Sequence, residues 1–150
     1  MFVPILLGSE VDKEHAGKIV AELDKFGIPS EVIVASAHKV PEKVISIIEK
    51  YNASDDQIVY VTIAGRSNGL SGVTAGSAVH PVIACPPFSD KSDYLVNIHS
   101  TLQMPKDTPV LTVLEPQNCA LTIARIFGLS NPDVKKKMQE HIAKVKKSFY

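Results

Sequence analysis

Two rhythms of apolar residues alternate along this chain: short runs of strand length, and longer stretches with one apolar face at helical spacing. Residues 2–7 read as a first strand. Residues 11–26 follow as a helix with Ala16, Ile19, Val20, Leu23 and Phe26 on one face, ended by Gly27-Ile28-Pro29. Residues 30–35 predict a second strand and residues 41–51 a second helix. Residues 58–63 are nearly all apolar, as a strand covered on both faces requires. Past a glycine-rich turn, a short helix leads to a fourth strand at residues 82–85. A weakly patterned helical stretch at 90–102, a fifth strand at 109–114 and a helix at 117–127 stopped by Gly128 complete the alternation.

Strands alternating with helices imply a parallel sheet with right-handed helical crossovers. The fold class is therefore α/β: a three-layer αβα sandwich, doubly wound in the flavodoxin-like manner. No linker, repeat or low-complexity segment interrupts it, so residues 1–150 are expected to form a single domain. The last helix opens on Ser130-Asn131-Pro132-Asp133, with Asn131 as N-cap, Pro132 in the first turn and Asp133 at the positive end of the dipole. Val134, Met138, Ile142, Val145 and Phe149 then draw a narrow apolar stripe among lysines. Such a stripe packs on its own subunit or on a neighbour, leaving the lysines in water.

Composition narrows the function. Sixteen basic side chains balance sixteen acidic ones, and 45% of residues are apolar. Neither a nucleic-acid surface nor a membrane surface is expected from that balance. The longest apolar runs are strand-sized, well short of the ~20 residues that span a bilayer. No charged-then-apolar leader opens the sequence, so a cytoplasmic protein is expected. Cys85 and Cys119 lie in apolar surroundings without metal-ligand spacing, which fits buried free thiols in a reducing compartment.

Three strand-end turns carry the chemistry, and ligands in open α/β sheets bind at that carboxyl edge. In the first, Gly8-Ser9-Glu10-Val11-Asp12, Ser9 and Asp12 have the spacing of an S-x-x-D capping box, which accounts for both without a ligand. Alternatively, Ser9 and nearby N–H groups meet a phosphate while Asp12 accepts from a ribose diol. The loop is too short for G-x-G-x-x-G, so a dinucleotide is not expected. The second turn, Ser36-Ala37-His38-Lys39-Val40-Pro41, packs a hydroxyl, an imidazole and an ammonium into four residues. That set can hold an anionic substrate and move a proton near neutral pH. His15 and His141 fall in solvent-facing helical phases, His80 precedes a proline and His99 lies in the weakly patterned stretch. The third turn, Ala64-Gly65-Arg66-Ser67-Asn68-Gly69-Leu70-Ser71-Gly72, has glycines that allow close backbone approach to a ligand. It can also be a plain connector, but Arg66, Ser67 and Asn68 make it richer than a connector needs.

These motifs in this order resemble the phosphoribosylaminoimidazole (AIR) carboxylase family of purine biosynthesis. Gly-Ser-x-x-Asp, Ser-Ala-His-Lys-x-Pro and Ala-Gly-Arg-Ser-Asn-Gly-Leu carry the resemblance. Pro81-Val82-Ile83-Ala84-Cys85-Pro86-Pro87, Leu102-Gln103-Met104-Pro105 and Ile126-Phe127-Gly128-Leu129-Ser130-Asn131 extend it from about residue 8 to residue 131. The family has two branches. One is a mutase that moves a carboxyl group from the exocyclic nitrogen to the ring carbon, and its glycine loop reads Ala-Gly-Gly-Ala-Ala-His-Leu-Pro-Gly. This chain has Arg66-Ser67-Asn68-Gly69 there, and Lys39 where the mutase has Arg, as in the branch that joins CO2 directly to aminoimidazole ribonucleotide. Val11 departs from the Ser that many relatives carry.

The resemblance implies a direct carboxylase that uses neither ATP, biotin nor metal. Ser9 and Asp12 would hold phosphate and ribose; Ser36, Ala37, His38 and Lys39 would surround imidazole and carboxylate; Gly65, Ser67, Asn68 and Leu70 would wall the CO2 site, and Gly8, Arg66 and Gly69 would also bind substrate. His38 and Lys39 would be the catalytic pair. It also implies a homo-oligomer, octamer or tetramer, whose C-terminal helix packs on a neighbouring subunit. The nearer rival is the N-carboxyaminoimidazole ribonucleotide mutase. The more distant one is a non-catalytic mononucleotide-binding module. A receiver-type switch would want acidic groups where this chain has Gly8-Ser9 and Ala64-Gly65.

Overall fold

In the computed structural model, which describes residues 1–150, five parallel strands form one sheet in the order β2-β1-β3-β4-β5. The strands are β1 (Val3–Leu7), β2 (Ser30–Val34), β3 (Tyr60–Ile63), β4 (Val82–Ala84) and β5 (Leu111–Thr112). Every residue of β1, β3 and β4 is buried, because helices cover both faces of the sheet. This is the flavodoxin-like strand order, whose direction of growth reverses at β1 and β3. The expected fold class is the observed one.

One face carries α1 (Lys13–Phe26), α5 (Pro116–Phe127) and α6 (Pro132–Lys147), closing a core that includes Ile5, Leu7, Ile19, Leu23, Ile123 and Phe127. The other carries α2 (Pro41–Asn52) and α3 (Gly69–Ser77) over a smaller core of Leu6, Val44, Ile48, Tyr60, Leu70 and others. Helix α4 (Lys91–Leu102) follows β4 and starts at Asp90, whose carboxylate accepts from the N–H groups of Ser92 and Asp93 at 2.8 and 2.9 Å. Helix α1 ends on Gly27 at φ 69°, a left-handed cap that a side chain disfavours. Asn131 caps α6 as expected, accepting from Asp133 and Val134 at 3.1 Å each. Val134 and Met138 of the α6 stripe enter the first core, whereas Val145 and Phe149 stay in solvent.

Three details depart from expectation. Residues 10–12 form a short 3-10 turn, and α1 begins only at Lys13. The fifth strand, expected over 109–114, shrinks to two residues at the sheet edge. His15, expected in solvent, is half-buried with its Nε2 3.5 Å from the Cys85 sulfur. No helix is long and apolar enough to cross a membrane.

Candidate active site

Parallel strands send all their outgoing turns to one edge, so the turns after β1, β2, β3 and β4 meet above the β1/β3 reversal. Together they enclose a cleft of about 1080 Å³, ample for a mononucleotide. The first turn contributes Gly8, Ser9, Val11 and Asp12, and the second Ser36, Ala37, His38 and Lys39. The third contributes Gly65, Arg66, Ser67 and Leu70. Asn68 and Gly69 do not line it.

The capping box in the first turn does not form. Ser9 and Asp12 occupy the N-cap positions of the 3-10 turn and of α1, yet neither side chain makes a capping hydrogen bond. The turn is closed by backbone alone, the Asp12 N–H donating to the Ser9 carbonyl at 3.2 Å. Neither side chain caps a helix, and both line the cleft. Burial pushes the Asp12 carboxyl up from its ordinary range, against a smaller opposing pull from His15 and the Ser9 backbone. A carboxylate in that position gains when a ligand brings donors to it.

The second turn is tightened by its own backbone. The N–H groups of Lys39 and Val40 both donate to the Ser36 carbonyl, at 3.3 and 2.9 Å. This fixes the main chain on either side of His38, and Pro41 then opens α2 where its missing N–H costs nothing. His38 and Lys39 are exposed to the cleft and free of protein hydrogen bonds through their side chains.

Most of the third turn's polarity serves the protein. Asn68 is 4% exposed and works in three directions. Its Oδ1 accepts from the Ser71 N–H at 3.0 Å and so caps α3; its Nδ2 donates to Thr101 Oγ1 at 2.9 Å; its N–H donates to Ser100 Oγ at 2.6 Å. Beneath it, the hydroxyls of Ser71 and Thr62 share a 2.6 Å hydrogen bond. Asn68 therefore ties the turn to α4 and sits under the cleft. Gly69 abuts His38: a Cβ built there would lie 2.7 Å from Nε2. Gly65 abuts the next turn, where a Cβ would lie 2.8 Å from the Pro87 carbonyl oxygen.

The turn after β4 supplies lining residues that sequence reasoning missed: Pro87, Phe88, Ser89 and, from the first turn of α4, Asp93. The Ser89 backbone N–H at 2.8 Å, followed by Asn97 and the Ser89 hydroxyl, holds the Asp93 carboxyl below the usual range, with a smaller pull from Arg66. The signal for this turn was present, since Cys85-Pro86-Pro87 leaves the same sheet edge as the others. Glu14 and Ala64 complete the lining. Behind the first turn lie the two free thiols, both buried as expected. Cys85 is held below the usual thiol range by its neighbour Cys119, with further help from His15, against its burial. Cys119 is pushed up correspondingly.

Comparison with known proteins agrees with this geometry. The sequence profile of the family described as AIR carboxylase matches residues 2–148. The phosphoribosylaminoimidazole carboxylase of Archaeoglobus fulgidus is 41% identical over 97% of this chain and 79% of its own length. That of Treponema denticola is 47% identical over 88% of this chain and 82% of its own. The human bifunctional phosphoribosylaminoimidazole carboxylase/succinocarboxamide synthetase is 41% identical over 93% of this chain, which corresponds to 33% of the longer protein. Among solved structures, the crystal structure of Treponema denticola PurE superposes with a TM-score of 0.93 at 41% identity, over 99% of this chain and 93% of that one. A cleft built by four strand-end turns, on a fold and a sequence shared with these proteins, places this chain in the AIR carboxylase family, an enzyme family of purine biosynthesis.

Proposed function

We propose that this chain is a direct AIR carboxylase, reversibly joining CO2 to the ring carbon of 5-aminoimidazole ribonucleotide to give 4-carboxy-5-aminoimidazole ribonucleotide. The observation that carries the reading is the meeting of Ser9, Asp12, Ser36, His38, Lys39 and Ser67 on one cleft. In this reading Ser9 and the first turn's backbone take the phosphate, and Asp12 accepts from the ribose hydroxyls. Ser36 and Ala37 flank the heterocycle, and Gly65, Ser67 and Leu70 confine CO2 beside it.

The aminoimidazole carbon next to the amine-bearing one is a mild nucleophile, and CO2 is already an electrophile. Attack forms the carbon–carbon bond and moves a carbon–oxygen π pair onto the new carboxylate. The ring carbon then carries both hydrogen and carboxylate, and aromaticity is lost until that proton leaves. His38 removes it, and returns it in the reverse direction. An imidazole can both take up and give back a proton, as a reversible step requires. Lys39 stabilises the carboxylate or the phosphate as a point charge. Confinement matters because CO2 offers little binding energy of its own.

Direct carboxylation is favoured over the mutase by Gly69, which holds the place of the mutase branch's second histidine, and by Lys39 in place of its Arg. Self-association belongs to the same proposal, as an octamer or tetramer. It is supported by Val96, Leu129 and Phe149, which are 72%, 88% and 83% exposed in the single chain. A reducing cytoplasm suits the two free thiols.

The deciding experiment offers the purified protein either AIR with dissolved CO2 or the N-carboxylated nucleotide, and follows imidazole absorbance. Turnover of AIR with CO2 is expected; turnover of the N-carboxylated substrate alone identifies the mutase, and ligand binding without absorbance change a mere binder. His38→Asn should keep KM within a few fold while kcat falls by about 10²–10⁴. Carboxylation at the wild-type rate would remove His38 from the mechanism.

A further inference from the structure

Gly69 is the first residue of α3, and nothing in its backbone calls for glycine: its φ is not positive, and Gly27 is the one glycine in the left-handed region. At a helical position Ala is the better residue. The reason for glycine is instead what stands over it. A Cβ built at residue 69 would lie 2.7 Å from His38 Nε2, 3.0 Å from Cε1 and 3.4 Å from Cδ2. The Nε2 edge of the imidazole thus rests directly on the bare Cα at the start of α3. Both main chains are fixed where they meet. Position 69 is held from below by the cap at Asn68, which is tied to Ser71, Ser100 and Thr101. His38 is held by the two hydrogen bonds from Lys39 and Val40 onto the Ser36 carbonyl. What can yield is the His38 side chain alone, which is free on its solvent side.

We infer that Gly69 is a positioning residue: its missing side chain forms the seat that sets where the His38 imidazole stands at the edge of the cleft. This rests on the proposed role of His38 as the base. A single methyl group at 69 swings the imidazole outward without disturbing the fold beneath it, and a displacement of about 1 Å at a reacting group is enough to cost about 10²-fold in rate. Substrate binding by the first turn is untouched.

The test compares Gly69→Ala with Gly76→Ala, which adds a methyl to the same helix where it meets only Thr108 Cγ2 at 4.0 Å. Gly69→Ala should melt at or above the wild-type temperature, lower kcat by about 30–100-fold and leave KM within threefold. Gly76→Ala should leave kcat and KM near wild type and melt at or above the wild-type temperature. The His38 ring signal in a proton–carbon NMR spectrum, assigned by its loss in His38→Asn, should move in Gly69→Ala while those of the other histidines stay. A kcat within threefold of wild type, an unmoved ring signal, or a loss seen mainly in KM overturns the inference. If Gly69→Ala melts lower instead, the double variant His38→Ala/Gly69→Ala decides. Recovery to the melting temperature of His38→Ala alone supports the seat, and persistence of the loss refutes it. The ring signal and the double variant do not depend on turnover, so an inactive wild-type protein would sink the carboxylase reading and leave the seat standing.

Discussion

The turns after β1 and β3 lie side by side on the same sheet edge, and they use their polar residues in opposite ways. In the turn after β1, Ser9 and Asp12 stand where helix caps stand and cap nothing. In the turn after β3, Asn68 caps α3, braces α4 and carries no exposed surface worth the name. Polar side chains at a strand end therefore divide into those the backbone has claimed and those it has left open. The second kind is where a ligand finds partners, and only geometry tells them apart.

That division can be broken by mutation. The largest effect on stability should come from Asn68→Ala. It removes a cap worth about 1 kcal/mol and strands a buried Thr101 hydroxyl at about 1–3 kcal/mol more. A melting temperature lowered by roughly 5–10 °C is expected, with activity lost in step with folded protein. A stable Asn68→Ala that merely binds substrate poorly would move Asn68 into the uncommitted class.

Asp12→Asn should do the reverse, weakening AIR binding by about 10–100-fold through the loss of charge-assisted hydrogen bonds, as read by calorimetric titration. Its stability follows from the raised carboxyl. A group whose folded pKa exceeds its unfolded one contributes stability below the unfolded value and loses it as pH rises through the folded one. At pH 7 the ionised Asp12 is a liability, so Asp12→Asn should melt slightly higher than wild type. The gap should close as pH falls below the ordinary carboxylate range, near ~3.9. A variant that melts lower at pH 7 would mean that Asp12 supports the turn after all.

Ser9→Ala should be the mildest change. With no capping bond to lose, its stability should stay within about 0.5 kcal/mol of wild type, where a true cap would cost about 1. KM should rise severalfold. A stability loss of the larger size would restore the capping box.

Much of the fold was legible because its signals are physical and redundant. The apolar run of β3 and the one-sided faces of α1 and α5 each specify an element and its burial together. What failed was local. The Ser9–Asp12 spacing suits a cap, but the chain enters α1 through a 3-10 turn, so the helix starts beyond the reach of Ser9. His15 has the phase of an outward residue, yet the Cys85 sulfur at the end of β4 lies close enough to meet it. Asn68 was drawn into the candidate site by its company, since a buried side chain with three partners has the same spelling as an exposed one. Phe88 and Asp93 were overlooked because their stretch carries no motif, although the parallel sheet directs it to the same rim.

The bareness of Gly65 against the Pro87 carbonyl has a mechanical consequence. Two neighbouring rims packed this closely, main chain to main chain, leave no room for a side chain between them unless one rim shifts. Any substituent at position 65 would act as a wedge between them, and amide exchange in both rims should quicken together.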